Sequence, residues 1–350
     1  MTSEERVLTA FQFQRPDRIP VMNGFWSYPP EWKARFGDPV LLSDIHLFVP
    51  REGAFPLNAR PIKEEQGWKY AQDEWGRLIR TREDTYFSEV IEAPLKGNIE
   101  LRSVAFDPPS LDVRYYMGKT QEQFDNSIAE QKNRCCLFIK TGGPYLRTSF
   151  MRGETEFLMD MAGDPGLARE LAEKVGSHIT EIGVEALRRT KLFETGIWIY
   201  DDMAFNKGPM FSPEAFEQII LPAYRKMLKA YRAAGAKYIM LHSDGDIRPL
   251  LDMLIDAGID GINPVERRAG MLIPELRRKY PKLILTGGMC NSETLINGPV
   301  SKIEAEAREI IDTGRNGGIV IGTHSISPEV PIENFAAYLN ICRTYGLFQK

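Results

Sequence analysis

His242 and Asp244 stand two residues apart, just past an apolar run at 238–241. Imidazole and carboxylate are ligands that suit zinc, iron or manganese, and a cysteine beside them would favour zinc. Comparable groups end other apolar runs. Asp201 and Asp202 follow 196–200, Cys290 follows 283–286 and its glycines, and His324 follows 319–321. Asn23, Asn263 and Glu266 occupy similar places. A metal needs ligands from several directions, and strand ends gathered around one mouth supply them. Each residue also admits a plainer reading. Asp244 precedes Gly245 and Asp246 and suits a helix cap, and either Asp201 or Asp202 suits acceptance from neighbouring backbone N–H groups. His324 suits a hydrogen-bonded structural role, Cys290 a small buried hydrophobe, and Glu266 an ion pair with the arginines after it. The chain has four histidines in all. His46, in a short strand-like run, and His178, on a helix face, read as structural.

The elements that would position these groups alternate along the chain. Residues 238–266 read as strand, polar tip, helix and strand, one βαβ unit. From 135 onward six strand–helix repeats follow one another. Two further strands are expected at 19–22 and 45–49, giving eight. Alternating strands and helices imply parallel pairing, so the expected fold is α/β, a single (β/α)8 TIM barrel. A helix over 2–13 precedes it. Residues 50–134 break the rhythm and predict an inserted antiparallel β-hairpin and loop, with an extended link at 106–111. Serine, proline and glutamate at 212–214 predict a long helix to 234. An open doubly wound sheet is the alternative, but neither G-x-G-x-x-G nor a P-loop supports it. No linker divides residues 1–350, so one domain is expected.

Composition narrows the function classes. The chain has 350 residues, 43% hydrophobic and 26% charged, and a formal net charge of −4. Without a long basic run, no nucleic-acid partner is expected. No secretory h-region opens the chain and no apolar stretch is long enough to span a bilayer, so neither export nor a membrane is expected. The four cysteines have no disulfide or zinc-ribbon spacing, which fits a reduced, cytoplasmic setting.

Several longer stretches carry a family resemblance. They are SEERVLTAFQFQRPDRIPV, DEWGRLIR, TGGPYLRTSFM, DDMAFNKGPMFSPEAFEQIILPAY, LHSDGDIRPLLDMLIDAGIDGINPVE and IVIGTHSISPEVPIENF. Together they span most of the chain, and it resembles the uroporphyrinogen decarboxylase superfamily. The resemblance implies a (β/α)8 barrel. It lies nearer the corrinoid-dependent methyltransferases than true uroporphyrinogen decarboxylase. The decarboxylase carries an arginine-rich RQAGR segment after its first strand; here the region reads VMNGFWSYPPEW. Phe150 stands at the family's active-site tyrosine and Asp202 at its serine, whereas His324 matches its late histidine. The methyltransferase branch binds zinc through H-x-C and a distant cysteine. The matching positions here are His242, Asp244 and the region of His324, with Cys290 or Glu266 as a further or substitute ligand.

Three functions follow as expectations. The first is a metal-dependent, zinc-requiring methyltransferase acting with a corrinoid protein. Its metal would sit at His242, Asp244, His324 and Cys290, and a small methylated donor or thiol acceptor would bind at Asn23, Asn263 and Glu266. Asp201 and Asp202 would orient the substrate. The second is a decarboxylase or related lyase, in which Asp201 or Asp202 stabilises a cationic intermediate beside His324. The third is a non-catalytic ligand-binding barrel. A homodimer is compatible with each.

Overall fold

The computed structural model describes residues 1–25, 27–83, 87–97 and 104–348, and the side chain of His324 lies outside the described residues. Eight strands form one parallel sheet: β1 Val21–Phe25, β2 Ile45–Phe48, β3 Cys136–Gly142, β4 Gly196–Tyr200, β5 Tyr238–His242, β6 Gly261–Val265, β7 Ile284–Gly288 and β8 Ile319–Ile326. Their order is β1-β8-β7-β6-β5-β4-β3-β2. Every described pairing among them is parallel. Helices lie between successive strands, so the fold is α/β and TIM-barrel-like.

Among the described residues, the two edge strands meet without a regular ladder. Asp44 N donates to Val21 O at 2.7 Å. Asn23 N reaches Ser43 Oγ at 3.3 Å, and Val21 N reaches Asp44 Oδ2 at 2.9 Å. Side chains thus satisfy the edge groups that a ladder would otherwise pair.

Apolar residues run unbroken along the strands and join two buried clusters alternately, because successive side chains point to opposite faces. Phe138, Trp198, Met240, Ile284 and Val320 share one buried cluster. The helix Ser3–Phe11 adds Val7 and Phe11 to it. Thr2 and Glu5 form a capping box at the start of this helix, which satisfies donors that a bare first turn would leave open. Phe11 packs against Phe138 and Tyr238, with centroids 5.9 and 5.1 Å apart. This plug lies at the strand starts. Two residues beyond Phe138, Trp198 and Met240, the same pleat face carries Lys140, Tyr200 and His242 toward the strand ends.

The structure corrects several expectations. Residues 50–134 contain a four-stranded antiparallel sheet, Arg60–Glu65, Trp68–Gln72, Leu78–Thr81 and Glu89–Glu92, rather than a hairpin and loop. Their short, mixed runs bury little on either face, so periodicity under-reports them. The helix Gln121–Arg134, overlooked in the reading of that segment, leads into β3. The stretch after β3 is itself the helix Pro144–Arg152. The expected helix from 213 contains a π-helical segment, Phe216–Ile220, before Leu221–Ala233. β8 runs on to Ile326, so His324 lies within the strand rather than after it. Among the described residues, no helix is long and apolar enough to cross a membrane.

Candidate functional site

Strand β5 ends at His242 and the chain turns at once. Asp244 does not cap the next helix. Arg248–Ala257 begins after Ile247, and Asp246 Oδ1 accepts from Arg248 N at 3.1 Å. Gly245 has φ +83, and a Cβ there would stand 2.6 Å from the backbone at Ala204 and Phe205. Glycine lets the turn press against the short hairpin that follows β4. Ser243 Oγ accepts from Met203 N at 3.0 Å and joins the same two loops.

This turn places Asp244 beside His242 and Asp202. His242 Nε2 is 3.5 Å from Asp244 Oδ1 and 3.7 Å from Asp202 Oδ1. Asp244 N donates to Asp202 Oδ1 at 3.0 Å. Ligand atoms of the three residues lie within 4.8 Å of one another. On the other side of the ring, His242 Nδ1 donates to Asn263 Oδ1 at 2.7 Å. That bond assigns the proton to Nδ1 and turns the Nε2 lone pair toward the carboxylates. Tyr200 stacks on the imidazole, with centroids 4.1 Å apart and planes 12° from parallel. Burial pushes the Asp244 carboxyl up to about 6, with Asp202 and Glu266 adding to the rise and His242 and Arg268 opposing it. A cation placed between these groups would favour the ionised carboxylate. One imidazole and two carboxylates on adjacent strands therefore fit a divalent cation.

The other sequence candidates have different surroundings. Asp201 is fully buried. Its carboxylate accepts from Leu146 N at 2.6 Å, Tyr145 N at 3.2 Å and Tyr224 Oη at 2.6 Å. It thereby anchors the first turn of Pro144–Arg152. Burial raises its pKa to about 6, against the opposing pull of those hydrogen bonds. Gly143 makes the close approach feasible, since a Cβ there would stand 2.2 Å from the Asp201 side chain. Asn23 spans the seam between β1 and β2, donating to Leu42 O at 2.8 Å and accepting from Tyr338 Oη at 3.2 Å. Glu266 accepts from Gly245 N at 2.7 Å and steadies the turn that carries Asp244.

Cys290 does not belong to the described cluster of ligand atoms. Its Sγ accepts from Glu293 N at 3.4 Å, and its backbone N donates to buried Glu306 at 2.7 Å. It begins the turn after β7. Asp202, read from sequence as a substrate-orienting residue, stands in the cluster instead. His324 occupies β8, and its side chain lies outside the described residues.

Lys140 and Tyr200 escaped the sequence reading because it sought groups past the strand ends. Both lie within strands, and the available signal was their two-residue offset from buried Phe138 and Trp198. The Lys140 ammonium lies 3.8 Å from the centre of the Tyr200 ring.

Comparisons with known proteins agree with this architecture. A family model described as uroporphyrinogen decarboxylase (URO-D) matches residues 122–345. A methylcobamide:CoM methyltransferase, MtaA, of Methanosarcina barkeri (strain Fusaro / DSM 804) is 27% identical over 128 residues. That match covers 37% of this chain and 36% of the relative, so the chain spans about a third of that protein's length in the alignment. The solved structure of a methyltransferase from Methanosarcina mazei covers 99% of both chains, with a TM-score of 0.67 and 17% identity. This last likeness concerns the fold.

Proposed function

The chain belongs to the uroporphyrinogen decarboxylase (URO-D) family, and from that premise we propose that it is a metal-dependent methyltransferase. It exchanges a methyl group between a small donor or thiol acceptor and a corrinoid carried by a partner protein. The observation that carries this reading is the Asp202–His242–Asp244 cluster, with its histidine tautomer set by Asn263. The partial likeness to a methylcobamide:CoM methyltransferase supports the reaction class.

Asp202, His242 and Asp244 would hold a divalent cation, zinc foremost, whose Lewis acidity would lower the pKa of a substrate thiol or polarise a methyl donor. The chain's own groups preorganise that event. Asn263 and Tyr200 hold the imidazole in one tautomer and plane. The Asp244 backbone N–H holds Asp202. Glu266 holds the turn bearing Asp244. His324 is proposed as a further ligand from β8. Asp201 acts indirectly, by fixing Pro144–Arg152 against the end of β4.

Elemental analysis combined with methyl transfer to or from cobalamin tests the proposal. Wild-type protein should retain a divalent metal and transfer methyl groups. His242→Ala should lose both, and His324→Ala should lower metal occupancy. Undiminished transfer by metal-free protein would exclude the mechanism. Turnover of uroporphyrinogen instead would assign the chain to decarboxylation.

A further inference from the structure

The segments that follow β3 and β4 border an apolar groove of about 440 Å³, and none of its lining residues belongs to the Asp202–His242–Asp244 cluster. One wall is the helix Glu154–Gly163, on which Leu158, Met161 and Ala162 recur at i, i+3 and i+4. The other is the segment 213–220, on which Ala215, Gln218 and Ile219 repeat that spacing. Each wall is thus one face of a helix. Met210 and Phe211 also line the groove. Met159, next to the first wall, is largely exposed.

The shape is held by contacts beneath it. Tyr145 packs against Phe211 with centroids 4.8 Å apart, and its Oη donates to Met210 Sδ at 3.2 Å. The Tyr145 backbone N–H is itself held by buried Asp201. A π-helical turn, Phe216–Ile220, shapes the second wall, with Leu221 N reaching back to Phe216 O. Pro222 has no N–H with which to close an α-turn onto Gln218. Such turns are rare and recur at functional sites.

The rim is acidic. Glu214 lines the groove, Glu217 follows three residues later, and Glu154 lies one turn before Leu158. All three are exposed and, among the described residues, none has an ion-pair partner. Burial, then Glu154, raises the pKa of the Tyr145 phenol, which places that carboxylate near the floor. Among the described residues, no lysine or arginine lines the groove. Two helix faces side by side suit a third helix, and methionines adapt to varied apolar side chains. Unpaired carboxylates on the rim select for positive charge on that helix.

We propose that this groove docks a cationic amphipathic helix of a partner protein. Its apolar stripe would lie between the two walls, and its lysines or arginines would meet Glu154, Glu214 and Glu217. The assignment goes beyond the methyltransferase reading and does not depend on it.

Fluorescence anisotropy with three synthetic peptides tests the assignment. One is a lysine–leucine peptide with leucines at helical spacing, the second has glutamate in place of each lysine, and the third has the first composition with its leucines scattered. Wild-type protein should bind the first at least about tenfold more tightly than either other, and more weakly as salt rises. Glu214→Lys with Glu217→Lys should lower that affinity at least about tenfold. Ala162→Arg, at an exposed position of the first wall, should do the same, and unchanged melting would report an intact fold for each variant. Hydrogen exchange should slow at 154–165 and 210–219 when the first peptide is bound. Absence of binding, equal binding of all three peptides, affinities untouched by these variants, or protection confined to other segments would each overturn the proposal. Self-association of wild type that Ala162→Arg abolishes would assign the groove to a second copy instead and overturn it as well.

Discussion

The hydrogen bond at His242 Nδ1 governs what Nε2 can do. Asn263→Ala should leave the fold intact but let the ring change tautomer and tilt. Metal affinity should fall roughly 10- to 100-fold, as measured by chelator competition. Asp201 makes a contrasting prediction. Asp201→Asn would replace one acceptor oxygen with a donor facing the N–H groups of Tyr145 and Leu146 or the Tyr224 hydroxyl. The expected loss is about 1–3 kcal/mol in urea unfolding, with metal binding less affected than by His242→Ala. Both aspartates follow the same strand and look alike in sequence. Their difference is one of direction: adjacent residues of extended chain face opposite sides, so Asp201 turns outward to a helix start and Asp202 inward to the mouth. The residue types were legible from spacing. Strand parity depended on the true strand boundaries, whereas Cys290 is kept out of the cluster by its place beyond the end of β7, where its Sγ accepts from Glu293 N.

At the scale of elements, the long helix Pro165–Thr190 carries His178 against the start of the inserted segment. The imidazole is buried and packs edge-on to Phe106, with centroids 4.9 Å apart. Burial, then the Arg114 charge, lowers its pKa from 6.5 to about 4. The folded state therefore favours the neutral ring, whereas the unfolded chain protonates it near 6.5. Its contribution is complete above 6.5 and is lost as pH falls through the window toward about 4. The acid-linked loss should be on the order of 3 kcal/mol. Urea unfolding near neutrality and near pH 4 should show a smaller difference for His178→Gln. The helix itself was legible because Leu171, Val175, Ile179, Ile182 and Ala186 recur along one buried face. The inserted sheet was less legible. Its strands are largely exposed, and short strands with weak alternation resemble loops.

For the whole molecule, the repeat of strand and helix made the barrel-like plan readable before its dimensions were known. The joining of the edge strands was not readable, because polar residues distant in sequence accomplish it. Asp44, nearly fully buried, accepts from Arg6 Nη1 and Arg18 Nη1 at 2.8 Å and from Ser3 Oγ at 2.8 Å. Asp44→Ala would take away the carboxylate partner of Arg18 and one of the two carboxylate partners of Arg6, which keeps Asp17, and would loosen the seam. A loss of about 3–5 kcal/mol is expected in chemical denaturation. Zinc held at the proposed Asp202–His242–Asp244 site would act on the same global equilibrium from the opposite end of the strands. Ligand that favours the folded state should raise the melting temperature of wild type and leave His242→Ala nearly unchanged.

The pairing of β1 with β8 also imposes an order in time. During synthesis Val21–Phe25 emerges long before Ile319–Ile326, the neighbour to which it hydrogen-bonds. The ribosome must extend the chain by some 300 residues while the nascent β1 edge and the apolar side of Ser3–Phe11 await completion. Chain-distant contacts are slow to form, and exposed strand edges invite association. Nascent chains stalled before β8 should therefore be retained by holding chaperones, and release should coincide with translation through the last strand.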